Sequence, residues 1–60
     1  MDMEKILRIE NPNEAMRQIL LTATDLEELE SSVEMYANHH KIEVYEMAYY
    51  PNGENVAASL

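Results

Sequence analysis

The chain has 60 residues, with 12 Asp or Glu, four Lys or Arg, no cysteine, one glycine and a formal net charge of −8. That length gives one small domain, 1–60, whose core is thin, because a chain this short buries only about 60% of the surface it exposes when unfolded. Disulfides and thiolate metal sites are excluded, and the charge opposes direct binding to nucleic acid or anionic lipid, since phosphate binding runs on Lys and Arg.

Lys5 to Ile9 reads as a strand. Asn11-Pro12-Asn13 is turn chemistry, with Pro fixing φ and Asn tolerating φ > 0. Ala15 to Ala23 admits two readings. As a helix it takes Asn11 as cap, Pro12 at N1 and Glu14 at N3, with Ala15, Met16, Ile19 and Leu20 on one face. As a strand, Gln18 to Ala23 follows a hairpin turn and pairs with Lys5 to Ile9. Helix propensity favours the first. The strand is the reading we adopt, because Lys5 to Ile9 needs a neighbour and a larger sheet covers a helix better than a ribbon does.

Thr24 to His40 predicts a helix. Thr24 is an N-cap with Glu27 at N3, a capping box, and Asp25, Glu27 and Glu28 lie in the first turn, where the helix dipole favours negative charge. At 100° per residue Leu26, Leu29, Val33, Tyr36, Ala37 and His40 share the buried face, and Glu27, Glu28, Ser31, Glu34 and Asn38 the other.

Ile42 to Tyr50 is rich in β-branched and aromatic residues and predicts a strand. Pro51-Asn52-Gly53 turns the chain, and Asn55 to Leu60 returns as its partner. A bulged three-residue loop, favoured by Pro first and Gly third, places Ile42, Val44, Ala48, Val56, Ala58 and Leu60 on one face. Tyr45, Met47 and Tyr49 then form the other, and a one-residue slip swaps the two sets. The expected fold class is therefore α+β, in the order β-β-α-β-β, with one acidic amphipathic helix on a small sheet. The first third is β-α if Ala15 to Ala23 is helical.

Catalytic chemistry finds no support. Acidic pairs abound, but catalytic carboxylates need a cleft with unequal, desolvated environments, and a domain this small can hardly enclose a ligand pocket. Ser31-Ser32 has no nearby base, and the single glycine sits in a turn, so there is no phosphate-binding loop or nucleophile elbow. His39 and His40 are adjacent and point about 100° apart on a helix, unlike an i,i+4 metal pair. Their plain role is to sit at the helix C-terminus and bond its last carbonyls. No catalytic residue, metal or cofactor is expected.

Two surfaces point to protein partners. Glu27, Glu30 and Glu34 form a line at i, i+3 and i+7, and with Asp25 and Glu28 they face no base before Lys41. Like charges in a row cost helix stability, whereas a merely solvated face more often mixes signs. Solubility is the plain explanation, and docking on a basic protein patch, one that itself holds nucleic acid, is the functional one. Met35 lies on this outward side and is an adaptable contact residue. The second surface is Tyr45, Met47 and Tyr49, left uncovered by a single helix.

The expectation is a non-enzymatic protein-binding module, an inhibitor or regulator. Small acidic proteins of this kind include phage proteins that block host nucleic-acid enzymes or defence systems. The alternative is a structural homodimer or assembly subunit whose acidic face only solvates it. No apolar run reaches the roughly 18 residues of a membrane span. Met1-Asp2-Met3-Glu4 lacks the basic start of a signal peptide, and the expected location is cytoplasmic.

Overall fold

Asp2, Asn11 and Asp25 each turn the chain into a helix in the same way. The side-chain oxygen of each accepts a backbone N–H of the first turn, from Lys5, Asn13 and Glu28 respectively. These bonds satisfy donors that have no partner inside a helix. The computed structural model describes residues 1–51. In order, these form α1 (Met3–Leu7), α2 (Pro12–Thr22), α3 (Leu26–His40) and α4 (Val44–Met47). Of the described residues 69% are helical and none is in a strand, so the α+β expectation is corrected to an all-helical fold.

Each predicted strand within the described residues fails for a local reason. Lys5 to Ile9 is mostly α1, nucleated by Asp2 and Glu4 at its start and closed by the Ile9 N–H to Ile6 carbonyl bond at 3.0 Å. Ala15 to Ala23 is helical through Thr22, as propensity and the Asn11-Pro12 start required. The tertiary reason for a strand there vanishes, because Lys5 to Ile9 needs no sheet neighbour. Ala15, Met16 and Ile19 are buried and Leu20 packs against them, the face that the helical reading lays out.

Ile42 to Tyr50 contains α4 instead of a strand, and its hydrogen bonds are local. The N–H groups of Glu46, Ala48, Tyr49 and Tyr50 reach the carbonyls of Glu43, Tyr45, Glu46 and Met47. A short apolar run does not by itself distinguish strand from helix, and a strand requires a partner that residues 1–51 do not supply. The other half of the proposed hairpin, with Asn52, Gly53 and Asn55 to Leu60, lies outside the described residues.

The core is Ile6, Ala15, Met16, Ile19, Tyr36, Ala37 and Met47, flanked by the partly buried Met3, Leu7, Ile9, Leu20, Leu29, Val33, Ile42 and Tyr50. α3 is the central element and packs against α1, α2 and α4, while α1 also packs on α2. A helix as short as α1 or α4 is unstable alone, so both depend on this packing. The reversal after α3 sits at Lys41, whose φ of 59° and ψ of 39° are left-handed. There the Ile42 N–H bonds the Ala37 carbonyl at 2.8 Å, a six-to-one closure that directs the chain back over α3 and carries Met47 into the core.

Candidate functional site: the outward faces of α3 and α4

The start of α3 is fixed one residue later than its sequence suggests. Asp25, not Thr24, is the N-cap, and its Oδ1 accepts the Glu28 N–H at 2.7 Å. Glu28 reaches back, and its Oε1 accepts the Thr24 N–H at 2.9 Å. The Asp25 bond is the forward half of a capping box displaced by one position, whereas the return bond from Glu28 reaches past the cap to the residue before it, Thr24. Two of the helix's five carboxylates therefore already have backbone donors. Glu28 is half-buried, so of the predicted acidic contacts it is the one with a structural duty.

Glu27, Glu30 and Glu34 remain, and all three are exposed. They lie along one side of α3, at angles spanning about 60° around the helix axis. None has an ion-pair partner among the described residues, where the single ion pair is Glu4 with Arg8 at 3.5 Å on α1. Met35 is 48% exposed, on the side of α3 away from Tyr36 and Ala37. The predicted acidic face is thus present as a ridge of three free carboxylates, with Met35 further round the helix.

The second predicted surface is divided. A stripe of Tyr45, Met47 and Tyr49 requires strand geometry, in which alternate residues share a face. In a helix residues two apart point about 200° apart, so Met47 turns inward and is 0% exposed. Its assignment as a contact residue is corrected: it is a core side chain. Tyr45 is 68% and Tyr49 48% exposed, one turn apart, with Val44 also exposed beside them.

Two other features go beyond the sequence reading, which places Tyr36 and His40 on the buried face without linking them. One is the interlocked pair Tyr36 and His40. The buried Tyr36 hydroxyl donates to the Ile9 carbonyl, and the His40 Nε2 lies 2.7 Å from the Leu7 carbonyl. A carbonyl only accepts, so Nε2 carries the proton. His40 thus bonds a carbonyl of α1, not the end of its own helix. Burial pushes the Tyr36 phenol above its ordinary value of 10.0, and the nearby Tyr50 and Glu10 push in the same direction. His39 meets His40 edge to face at 5.1 Å, and among the described residues no group of three His, Cys, Asp or Glu is placed to hold a metal. The Ser32 hydroxyl is 3.1 Å from Met1 Sδ.

The other feature is a pair of open grooves. One, of about 460 Å³, runs between α1 and α2 and mixes Asp2, Lys5, Glu14 and Gln18 with Ile6 and Ile9. The other, of about 380 Å³, lies at the α2–α3 corner and is lined by Leu20, Ala23, Thr24, Asp25, Leu26 and Leu29. Periodicity alone puts Leu26 on the buried face, yet it is 59% exposed. The missed signal is its place in the first turn of α3, next to the loop. There the preceding helix has already ended at Thr22 and cannot cover it.

No helix among the described residues is long and apolar enough to cross a membrane. Comparison of the chain with protein-family models, with curated proteins and with solved structures finds no match.

Proposed function

We propose that the protein is a small non-enzymatic binding module that docks on a basic surface of a target protein and thereby regulates or inhibits it. The observation that carries this reading is the α3 ridge. Glu27, Glu30 and Glu34 are exposed, aligned and without an ion-pair partner among the described residues, whereas Asp25 and Glu28 are committed to the cap. Aligned like charges repel, and a cationic partner removes that cost while accelerating encounter. A target surface that normally holds nucleic acid has the matching chemistry. The cytoplasm is the setting that suits a chain free of cysteine.

The test is affinity capture of partners from the source cell, with the wild-type chain compared against a Glu27→Lys, Glu30→Lys, Glu34→Lys variant. All three positions are exposed, and reversing the charge of Glu27 in the first turn costs only about 1 kcal/mol against the helix dipole, so circular dichroism should show the variant still folded. The expected result is loss of the captured partner. Capture of the same partner by the folded triple variant would overturn the electrostatic reading.

Homodimerisation is supported by a separate observation, the exposed Tyr45 and Tyr49 beside Val44 at α4. Tyr is enriched at interfaces because it offers apolar area with a polar tip. In that reading sedimentation gives a dimer, and a Tyr45→Ser, Tyr49→Ser double variant gives a monomer. A wild-type monomer at high concentration eliminates it.

A further inference from the structure

We infer that the groove at the α2–α3 corner is the anchor point of the binding surface, and that it takes an apolar side chain from a cationic, amphipathic protein segment. This rests on the protein-binding reading above and names where the partner is held and what chemistry it brings. The floor of the groove is Leu20 and Leu29, which are continuous with the core, and its wall is the exposed Leu26. Leaving Leu26 and the floor wet is unfavourable in the free protein, by about 25 cal/mol for each Å² of apolar surface. Its volume of about 380 Å³ is open to solvent, which suits a protruding side chain better than an enclosed small molecule.

The rim decides the occupant. Asp25 lines the groove itself. Glu30 follows Leu26 by one turn and sits about 40° from it around α3, and Glu27 is its immediate neighbour. Between the groove and Lys41 the helix carries no Lys or Arg. A second copy docked groove to groove would set Asp25, Glu27 and Glu30 against the same residues of its partner, and any other face of a chain of net charge −8 carries few cations to offer them. Phosphate-bearing surfaces meet the same repulsion. A segment with an apolar anchor and flanking Lys or Arg satisfies both the groove and its rim, and this is how an amphipathic helix engages a groove elsewhere. The apolar contact supplies affinity, and the carboxylates supply steering and orientation.

The experiment uses the full chain with labelled methyl groups and two synthetic peptides of equal length and charge. One alternates Lys with Leu at helical spacing, and the other replaces every Leu with Ser. The expected result is that the Lys/Leu peptide binds at least about tenfold more tightly, the effect of burying one large apolar side chain. The Leu20, Leu26 and Leu29 methyl signals should move with it alone. Leu26→Asn, a change at an exposed position, should cancel that advantage while leaving Lys/Ser binding and the unfolding midpoint unchanged. Equal affinities, with signals moving only around Glu27, Glu30 and Glu34, would overturn the groove and leave the acidic surface standing. Failure of both peptides to bind at low salt would overturn the basic-partner reading as well. Two further outcomes also overturn it: a dimer in sedimentation that Leu26→Asn dissociates, and methyl contacts from Val56 or Leu60 to Leu26 in the free chain. These assign the groove to a second copy or to the chain's own residues.

Discussion

Tyr36 and His40 stack one turn apart on α3, with ring centroids 4.1 Å apart and planes 24° from parallel, and each holds a different carbonyl at the end of α1. Those carbonyls belong to Leu7, the last residue of a helix of only five residues, and to Ile9 just past its end. α3 thus supplies from its side the partners that α1 cannot supply along its axis. Tyr36→Phe keeps the ring and removes the hydroxyl, so it should cost about 1–2 kcal/mol, because the Ile9 carbonyl is left without its donor. His40→Ala should cost a similar amount. Their stacking makes the two losses non-additive, with a coupling of about 0.5–1.5 kcal/mol in a double-mutant cycle read by urea unfolding.

The same phenol sets a limit on stability at high pH. Its folded value lies above the ordinary 10.0, principally because burial disfavours the phenolate. The unfolded chain therefore releases this proton first as pH rises. Stability from this group is complete below about pH 10 and is lost as pH climbs through the raised folded value. The urea midpoint should fall above pH 10 in the wild type, and Tyr36→Phe should flatten that part of the profile. An unchanged alkaline slope in the variant would assign the loss to other groups.

Asp25 and Thr24 compete as caps in the sequence, and the bond from Asp25 Oδ1 to the Glu28 N–H decides between them. Asp25→Ala should cost about 1 kcal/mol, the usual loss for an N-cap carboxylate. Thr24→Ala should stay within about 0.5 kcal/mol, as for a surface change that removes only a weak contact. Its hydroxyl lies 3.5 Å from Glu28 Oε1, and the better bond from its backbone N–H survives the substitution. Thermal unfolding of the two variants side by side gives the ranking.

Lys41 holds a left-handed conformation without being glycine. The conformation costs an L-residue about 1–2 kcal/mol, since Cβ crowds the following carbonyl. It persists because the Ile42 N–H to Ala37 carbonyl bond and the return of α4 require it. Lys41→Gly should therefore raise stability by about 1 kcal/mol, less the extra chain entropy that glycine loses on folding. A fall in the unfolding midpoint would show that the lysine side chain contributes more than its backbone costs.

The parts of this fold legible in the sequence are those written in caps and long periodicity. The 15 residues of α3 carry enough turns for their apolar face to be read, and Asn11-Pro12 marks the start of α2. Lys5 to Ile9 is too short for its periodicity to tell strand from helix, and an error there propagates to α2. Once Lys5 to Ile9 is taken as a strand, α2 is asked to pair with it, against its own propensity. Ile42 to Tyr50 was opaque for another reason, since its β-branched composition is real but its conformation is set by the Lys41 reversal. The acidic ridge was legible because charge spacing on a helix survives a one-residue error in the cap. The groove was not, because the exposure of Leu26 depends on where α2 stops.

Met47 and Tyr45 separate the helical account of this segment from the strand account most sharply. In a strand they share a face, and truncating either has a similar effect. In α4 Met47 is enclosed in the core and Tyr45 points to solvent. Met47→Ala should leave a cavity that a thin core cannot close and cost about 2–5 kcal/mol, a large part of the stability of so small a domain. Tyr45→Ser should change stability by no more than about 0.5 kcal/mol. Should Met47→Ala leave too little folded protein to measure, Met47→Leu, which conserves volume, should cost less than about 1.5 kcal/mol and keep the ranking testable. Equal effects at 45 and 47, measured by urea unfolding, would refute the inward turn of Met47 and with it the path of the chain after Lys41.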